Sequence, residues 1–181
     1  MRKKVLLVCM MIGFAFPLFA GYFDVGITLG TNAHLGERDL DSSRLKLAWG
    51  LSIGLTDVWE LDIQTDTQLV PKFLGDHSVS MLLQRTLLGQ RSTGGKTAGV
   101  GINTLLGVGA MISAYTPEGT TTLSHLLVSL TPITIGSPIT GKRERALTIT
   151  LAYNLYTQQV VVLFDLLKFD FYVRGSYKDY R

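Results

Sequence analysis

Residues 44–69 read RLKLAWGLSIGLTDVWELDIQTDTQL. Leu45, Leu47, Trp49, Leu51, Ile53 and Leu55 share one parity; Arg44, Lys46, Ala48, Gly50, Ser52 and Gly54 share the other. After Thr56-Asp57 the alternation resumes, with Trp59, Leu61, Ile63, Thr65, Thr67 and Leu69 against Glu60, Asp62, Gln64, Asp66 and Gln68. A period of two puts successive side chains on opposite faces of a strand. The stretch therefore predicts a β-hairpin turned at Thr56-Asp57, with one apolar face and one charged face.

The same period runs outward in both directions. Residues 22–30 set Phe23, Val25, Ile27 and Leu29 against Asp24, Gly26, Thr28 and Gly30. Residues 97–112 set Ala98, Val100, Ile102, Leu106, Val108 and Ile112 against Gly99, Gly101, Asn103, Gly107 and Gly109. Residues 145–156 set Leu147, Ile149, Leu151, Tyr153 and Leu155 against Thr148, Thr150, Ala152 and Asn154. The last strand sets Leu167, Phe169, Phe171 and Val173 against Lys168, Asp170, Tyr172 and Arg174. Two less regular strands, 77–88 and 121–135, complete the set. Arg85 falls on the apolar face of the first, and Pro132 predicts a bulge or break in the second, because proline cannot donate to the ladder. Asp165 has the parity of Leu163 and Leu167, which predicts a bulge or a late strand start near it. The expected connectors are 32–43, 56–58, 70–76, 90–96, 113–120, 136–143 and 157–160. The expected fold is all-β, an antiparallel up-and-down transmembrane β-barrel of about eight strands.

Alternation alone does not say which face is inside. A soluble, lipocalin-like carrier buries the apolar face, and an outer-membrane barrel does the reverse. Gly26, Gly30, Gly50, Gly54, Gly99, Gly101, Gly107 and Gly109 all lie on the polar face. On a solvated exterior glycine only weakens a strand; inside a narrow barrel it makes room for large polar neighbours. Several runs reach about ten residues, as a tilted spanning strand requires. Phe23, Trp59 and Tyr177 fall at strand ends that would share one rim, as interfacial aromatics do. These features favour a barrel with its polar face inward.

On these residues the chain resembles the small eight-stranded outer-membrane barrels of the OmpA, OmpX and OmpW kind. Gly54-Leu55-Thr56-Asp57-Val58-Trp59-Glu60-Leu61 looks like a short periplasmic hairpin turn of such barrels. The alternation Leu167, Phe169, Phe171, Val173, Gly175, Tyr177 is similar to their closing strand, although Lys178-Asp179-Tyr180-Arg181 follows it. The resemblance implies a bacterial outer-membrane location, both termini in the periplasm, and recognition by the outer-membrane assembly machinery. It also implies contact with the lipid bilayer, including lipopolysaccharide-type or other outer-leaflet lipids. A structural or interaction role is expected first, a narrow OmpW-like channel second, and a soluble periplasmic carrier third.

The N-terminus fits export. Arg2-Lys3-Lys4 precedes an apolar run from Val5 to Phe16, and Pro17-Leu18-Phe19-Ala20 offers a cleavage point after Ala20. The expected organisation is a signal peptide over 1–20 and an outer-membrane β-barrel domain over 21–181. Removing the signal takes three of the 17 basic residues and none of the 14 acidic ones, so the mature chain is formally neutral. No basic patch then argues for nucleic acid. The single cysteine, Cys9, lies in the signal.

The charges concentrate on four strands that closure makes neighbours: Asp24 on the first, Arg44 and Lys46 on the second, Glu60, Asp62 and Asp66 on the third, and Lys168, Asp170 and Arg174 on the eighth. Charges taken out of water must pair, and an eight-stranded interior is just wide enough to be filled by side chains. A salt-bridged, filled lumen is expected, with Arg174 approaching Asp24 and with small neutral groups lining the other four strands. Catalysis is not expected. The adjacent pair His77-Ser78 is similar to a feature of lipid A deacylase, but that enzyme's wider motif is absent, and strand neighbours point to opposite faces. No metal-ligand spacing or phosphate loop occurs, and no cofactor is expected.

Overall fold

The computed structural model describes residues 22–35, 44–56, 58–70, 77–88, 102–113, 121–137 and 142–177. The expected signal peptide, its cleavage point and the chain end at 178–181 lie outside the described residues. Eight strands follow in order: β1 (Tyr22–Leu35), β2 (Arg44–Gly54), β3 (Trp59–Val70), β4 (His77–Leu88), β5 (Ile102–Ser113), β6 (Thr122–Ser137), β7 (Lys142–Asn154) and β8 (Val160–Tyr177). Each pairs antiparallel with its sequence neighbours, and β8 pairs with β1, so the sheet is a closed up-and-down barrel. Closure leaves no strand edge unpaired.

The β2–β3 hairpin forms as its residues dictate. Glu60 stands opposite Gly54. The Leu55 and Thr56 amides donate to the Trp59 carbonyl at 2.9 and 3.1 Å. The Thr56 hydroxyl accepts from the Trp59 and Val58 amides at 3.0 and 3.3 Å, a side-chain substitute for a backbone turn.

Several strand limits differ from expectation. β1 continues to Leu35, so His34 lies in a strand opposite Arg44 and not in a loop. β7 begins at Lys142, three residues before the expected start. β8 begins at Val160 and runs 18 residues. Pro132 does mark an irregularity: the β6–β7 register shifts between Leu130 and Ile133. The disturbance expected near Asp165 lies two residues on, at Leu167, whose φ is 53°. The β1–β8 register shifts there, between Leu29 and Thr31.

The register fixes the shape. Paired positions lead from Asp24 through Gly54, Glu60, Gln84, Gly107, Ser129, Thr150 and Leu163 back to β1 at His34, ten residues beyond the start. With strand rise and spacing of about 3.3 and 4.8 Å, that stagger over eight strands tilts them by roughly 40°. The near rim is the end where β1 starts and β8 finishes; the far rim is the other.

The two faces of the wall are inverted relative to a soluble protein. Asp24, Lys46, Glu60, Asp62, Gln64, Gln84, Arg143, Arg145, Lys168 and Asp170 are buried, while Ile27, Trp49, Met81, Val108, Leu126, Val128 and Leu151 are about half exposed. Water-soluble folds bury the second set and leave the first outside. The polar-face glycines admit bulk from neighbouring strands. A Cβ on Gly26 would lie 3.0 Å from the Tyr172 ring, and one on Gly30 would lie 3.0 Å from Lys168 Cα.

Candidate functional site: an ion-paired lumen

The inward parity of β3 sends Glu60, Asp62, Gln64 and Asp66 into the lumen as successive rungs. Four strands away in a ring of eight, β7 sends in Arg143 and Arg145, so the two sets face each other across the full width. Arginine has the reach and the planar fork to bridge such a gap. Arg143 does so bidentately: Nη1 and Nη2 donate to the two Glu60 carboxylate oxygens at 2.6 and 2.9 Å. Its Nε donates to Asp170 Oδ2 on the adjoining strand at 2.8 Å, and its guanidinium lies 5.8 Å from the Tyr172 ring centre.

Arg145, one rung further in, is shared more widely. Its Nε donates to Asp170 at 2.8 Å, and its Nη1 and Nη2 hold Asp62. Nη1 also donates to the Gln84 amide oxygen on β4 at 2.9 Å, and Nη2 lies 3.4 Å from Glu60. Thr28 of β1 donates to the remaining Asp170 oxygen at 2.8 Å. Lys168 lies 3.4 Å from Asp62 and donates to Gln64 Oε1. The Gln64 amide continues the chain to Asp66 at 2.7 Å and Asp165 at 3.4 Å. The network thus touches five strands and has both signs of charge at its centre, which offsets the desolvation each charge would suffer alone.

Of the residues singled out in the sequence, Glu60, Asp62, Asp66, Lys168 and Asp170 meet in this network. Asp24 and Lys46 are fully buried on β1 and β2. Arg44 pairs with His34 in the backbone register. Arg174 stands opposite Val25, with Gly175 opposite Asp24; the Arg44 and Arg174 side chains, and so the expected Arg174–Asp24 approach, lie outside the described residues. Trp59 sits half-exposed at the near rim, where the Phe23 and Tyr177 backbones also lie, their side chains outside the described residues.

The expectation of small neutral groups from β4 to β7 is corrected. Arg143 and Arg145 come from β7. Leu82, Met111, Leu127 and Ala152, with Val161 and Leu163 of β8, form an apolar cluster inside the wall. Strict alternation back from Leu147 puts Arg145 on the apolar face, but Ala146 and Leu147 both turn outward, so Arg145 and Thr148 both turn inward. Lys142-Arg143-Glu144-Arg145 alternates on its own, and that local pattern was the available signal.

Ser124 and His125 are also both inward, because β6 places Met111 opposite His125 but Ile112 opposite Leu123. His125 Nδ1 is 2.8 Å from Ser124 Oγ, which is 2.6 Å from Ser113 Oγ. All three residues are buried in the wall. His77 faces out and Ser78 faces in. Among the described residues, no group of three or more acidic, histidine or cysteine side chains is arranged to hold a metal. Compared with known proteins, the chain matches no family model, no curated protein and no solved structure.

Proposed function

We propose that this chain is a bacterial outer-membrane β-barrel, exported by its N-terminal signal, with a structural or interaction role and a lumen filled by ion pairs. The observation that carries the reading is the inversion of the wall: an apolar outer face and an ion-paired inner one. A lipid-facing wall needs every backbone group paired and an apolar exterior, and the closed sheet supplies the first condition. Strands of 12 residues such as β4, tilted by roughly 40°, rise on the order of 28 Å, enough for an apolar band about 25 Å tall. A soluble carrier for a greasy ligand requires the opposite distribution. A channel requires an unobstructed lumen, whereas Arg143 and Arg145 reach across it.

The partners on this reading are bilayer lipids, including lipopolysaccharide-type outer-leaflet lipids, and the assembly machinery that inserts such barrels. The test is fractionation of the full chain with heat-modifiable gel migration and a β-rich spectrum in detergent. Retention in carbonate-washed membranes is expected; recovery in the aqueous phase would overturn the proposal in favour of the carrier.

A further inference from the structure

Among the described outward-facing side chains, the ionic groups Arg85, Lys142 and Glu144 all belong to the near-rim ends of their strands. Lys142 and Glu144 are paired with each other at 2.8 Å. Arg85 is different. It interrupts the outward apolar series Val79, Met81, Leu83 and Leu87 on β4, it is exposed, and its backbone stands directly opposite Trp59. Its guanidinium carbon lies 5.7 Å from the centre of the Trp59 ring. Trp59 is itself 37% exposed and begins β3 immediately after the hairpin turn.

An arginine on a lipid-facing strand is strongly disfavoured at the bilayer midplane and nearly neutral close to the interface. Tryptophan prefers that same interface. The outer wall therefore places a cation and an amphipathic ring together at one level, close to one rim. Resting on the membrane reading above, we propose that Arg85 and Trp59 form an anchor for an anionic glycerophospholipid, with the guanidinium on the lipid phosphate and the indole at the glycerol level. The guanidinium suits a phosphate because its fork offers paired donors to two oxygens. Stacking over Trp59 holds that fork in place while leaving its edge open to the headgroup.

The chain has two tryptophans, Trp49 and Trp59, which makes the test direct. Trp49 pairs with Thr65, six residues along β3 from Trp59. With the rise and tilt above, Trp49 sits on the order of 12 Å nearer the middle of the wall. The full chain, as W49F and separately as W59F, is folded into vesicles containing brominated lipids, and tryptophan quenching is measured. Trp59 is expected to be quenched best by bromines near the glycerol, and Trp49 by bromines deeper in the chain. At equal mole fraction, brominated phosphatidylglycerol is expected to occupy the Trp59 site roughly fivefold more than brominated phosphatidylcholine, the scale of one basic residue at an anionic surface. R85Q on the W49F background should abolish that preference, and R85K should keep part of it. Quenching of Trp49 with no headgroup preference at Trp59 overturns the anchor and leaves the membrane reading standing. No quenching of either tryptophan overturns both. The headgroup comparison in W49F decides the matter even if R85Q does not fold.

Discussion

At the scale of single residues, Arg145 is the group on which the lumen most depends, because Asp62, Asp170 and Gln84 all accept from it. Removing one partner of a buried pair leaves uncompensated charge behind, which costs about 3–5 kcal/mol. Arg145→Met is therefore expected to lose about that much stability, read as a lower urea midpoint in detergent micelles. An unchanged midpoint would show that the carboxylates find water or other partners. Gly30→Val tests the opposite defect. Its Cβ would press on the Lys168 backbone, and overpacking of this kind costs typically 1–3 kcal/mol. The β3 carboxylates of this site were legible because the sequence alternates from Trp59 to Asp66. The two arginines were not, because an irregularity at Ala146-Leu147 exchanges the faces just beyond them.

At the scale of elements, two of the irregularities carry their own compensation. The Pro132 carbonyl, displaced from the ladder, accepts from the Thr104 hydroxyl at 2.9 Å. The Leu166 carbonyl, beside the left-handed Leu167, accepts from Thr31 at 2.6 Å. On the membrane reading this exposed carbonyl faces lipid, where an acceptor left without a donor costs about 1–3 kcal/mol, so Thr31→Val in detergent or bilayer should destabilise by that amount despite its near-identical volume. A loss below about 0.5 kcal/mol, less than a typical net hydrogen bond, would mean the carbonyl has another donor. The β7–β8 turn offers a gain. The Asn154 side chain caps the Tyr156 and Thr157 amides at 2.8 and 3.1 Å, and Gln158 adopts φ 57°. Gln158→Gly removes the left-handed penalty, and a rise of up to about 1 kcal/mol is expected. The hairpin at Thr56 was legible because its turn chemistry is local. The start of β8 was hidden because Val160 to Phe164 is apolar on both faces: Val161 and Leu163 join the inner cluster while Val160 faces out, and a strand buried or greasy on both sides shows no period of two.

At the scale of the whole barrel, the lumen has two storeys. Toward the near rim, Arg143 and Arg145 join opposite walls through Glu60 and Asp62. Toward the far rim, Leu82, Met111, Leu127 and Leu163 fill the β4–β8 side, facing Gln64 and Asp66 of β3. Eight strands leave room for side chains and little else, so either storey alone should stop a hydrated ion. The full chain in planar bilayers is therefore expected to show no reproducible conductance steps. Neutralising the lower storey, with Arg143→Gln, Arg145→Gln, Glu60→Gln, Asp62→Asn and Asp170→Asn together, removes the two arginines and the carboxylates paired with them but leaves the apolar storey in place. This variant should fold and stay closed. Adding Met111→Ala and Leu127→Ala opens the second storey, and steps should appear only then. Steps from the native chain would defeat the filled barrel in favour of a narrow channel. Steps from the neutralised chain alone would show that charge pairing, and not packing, closes the lumen.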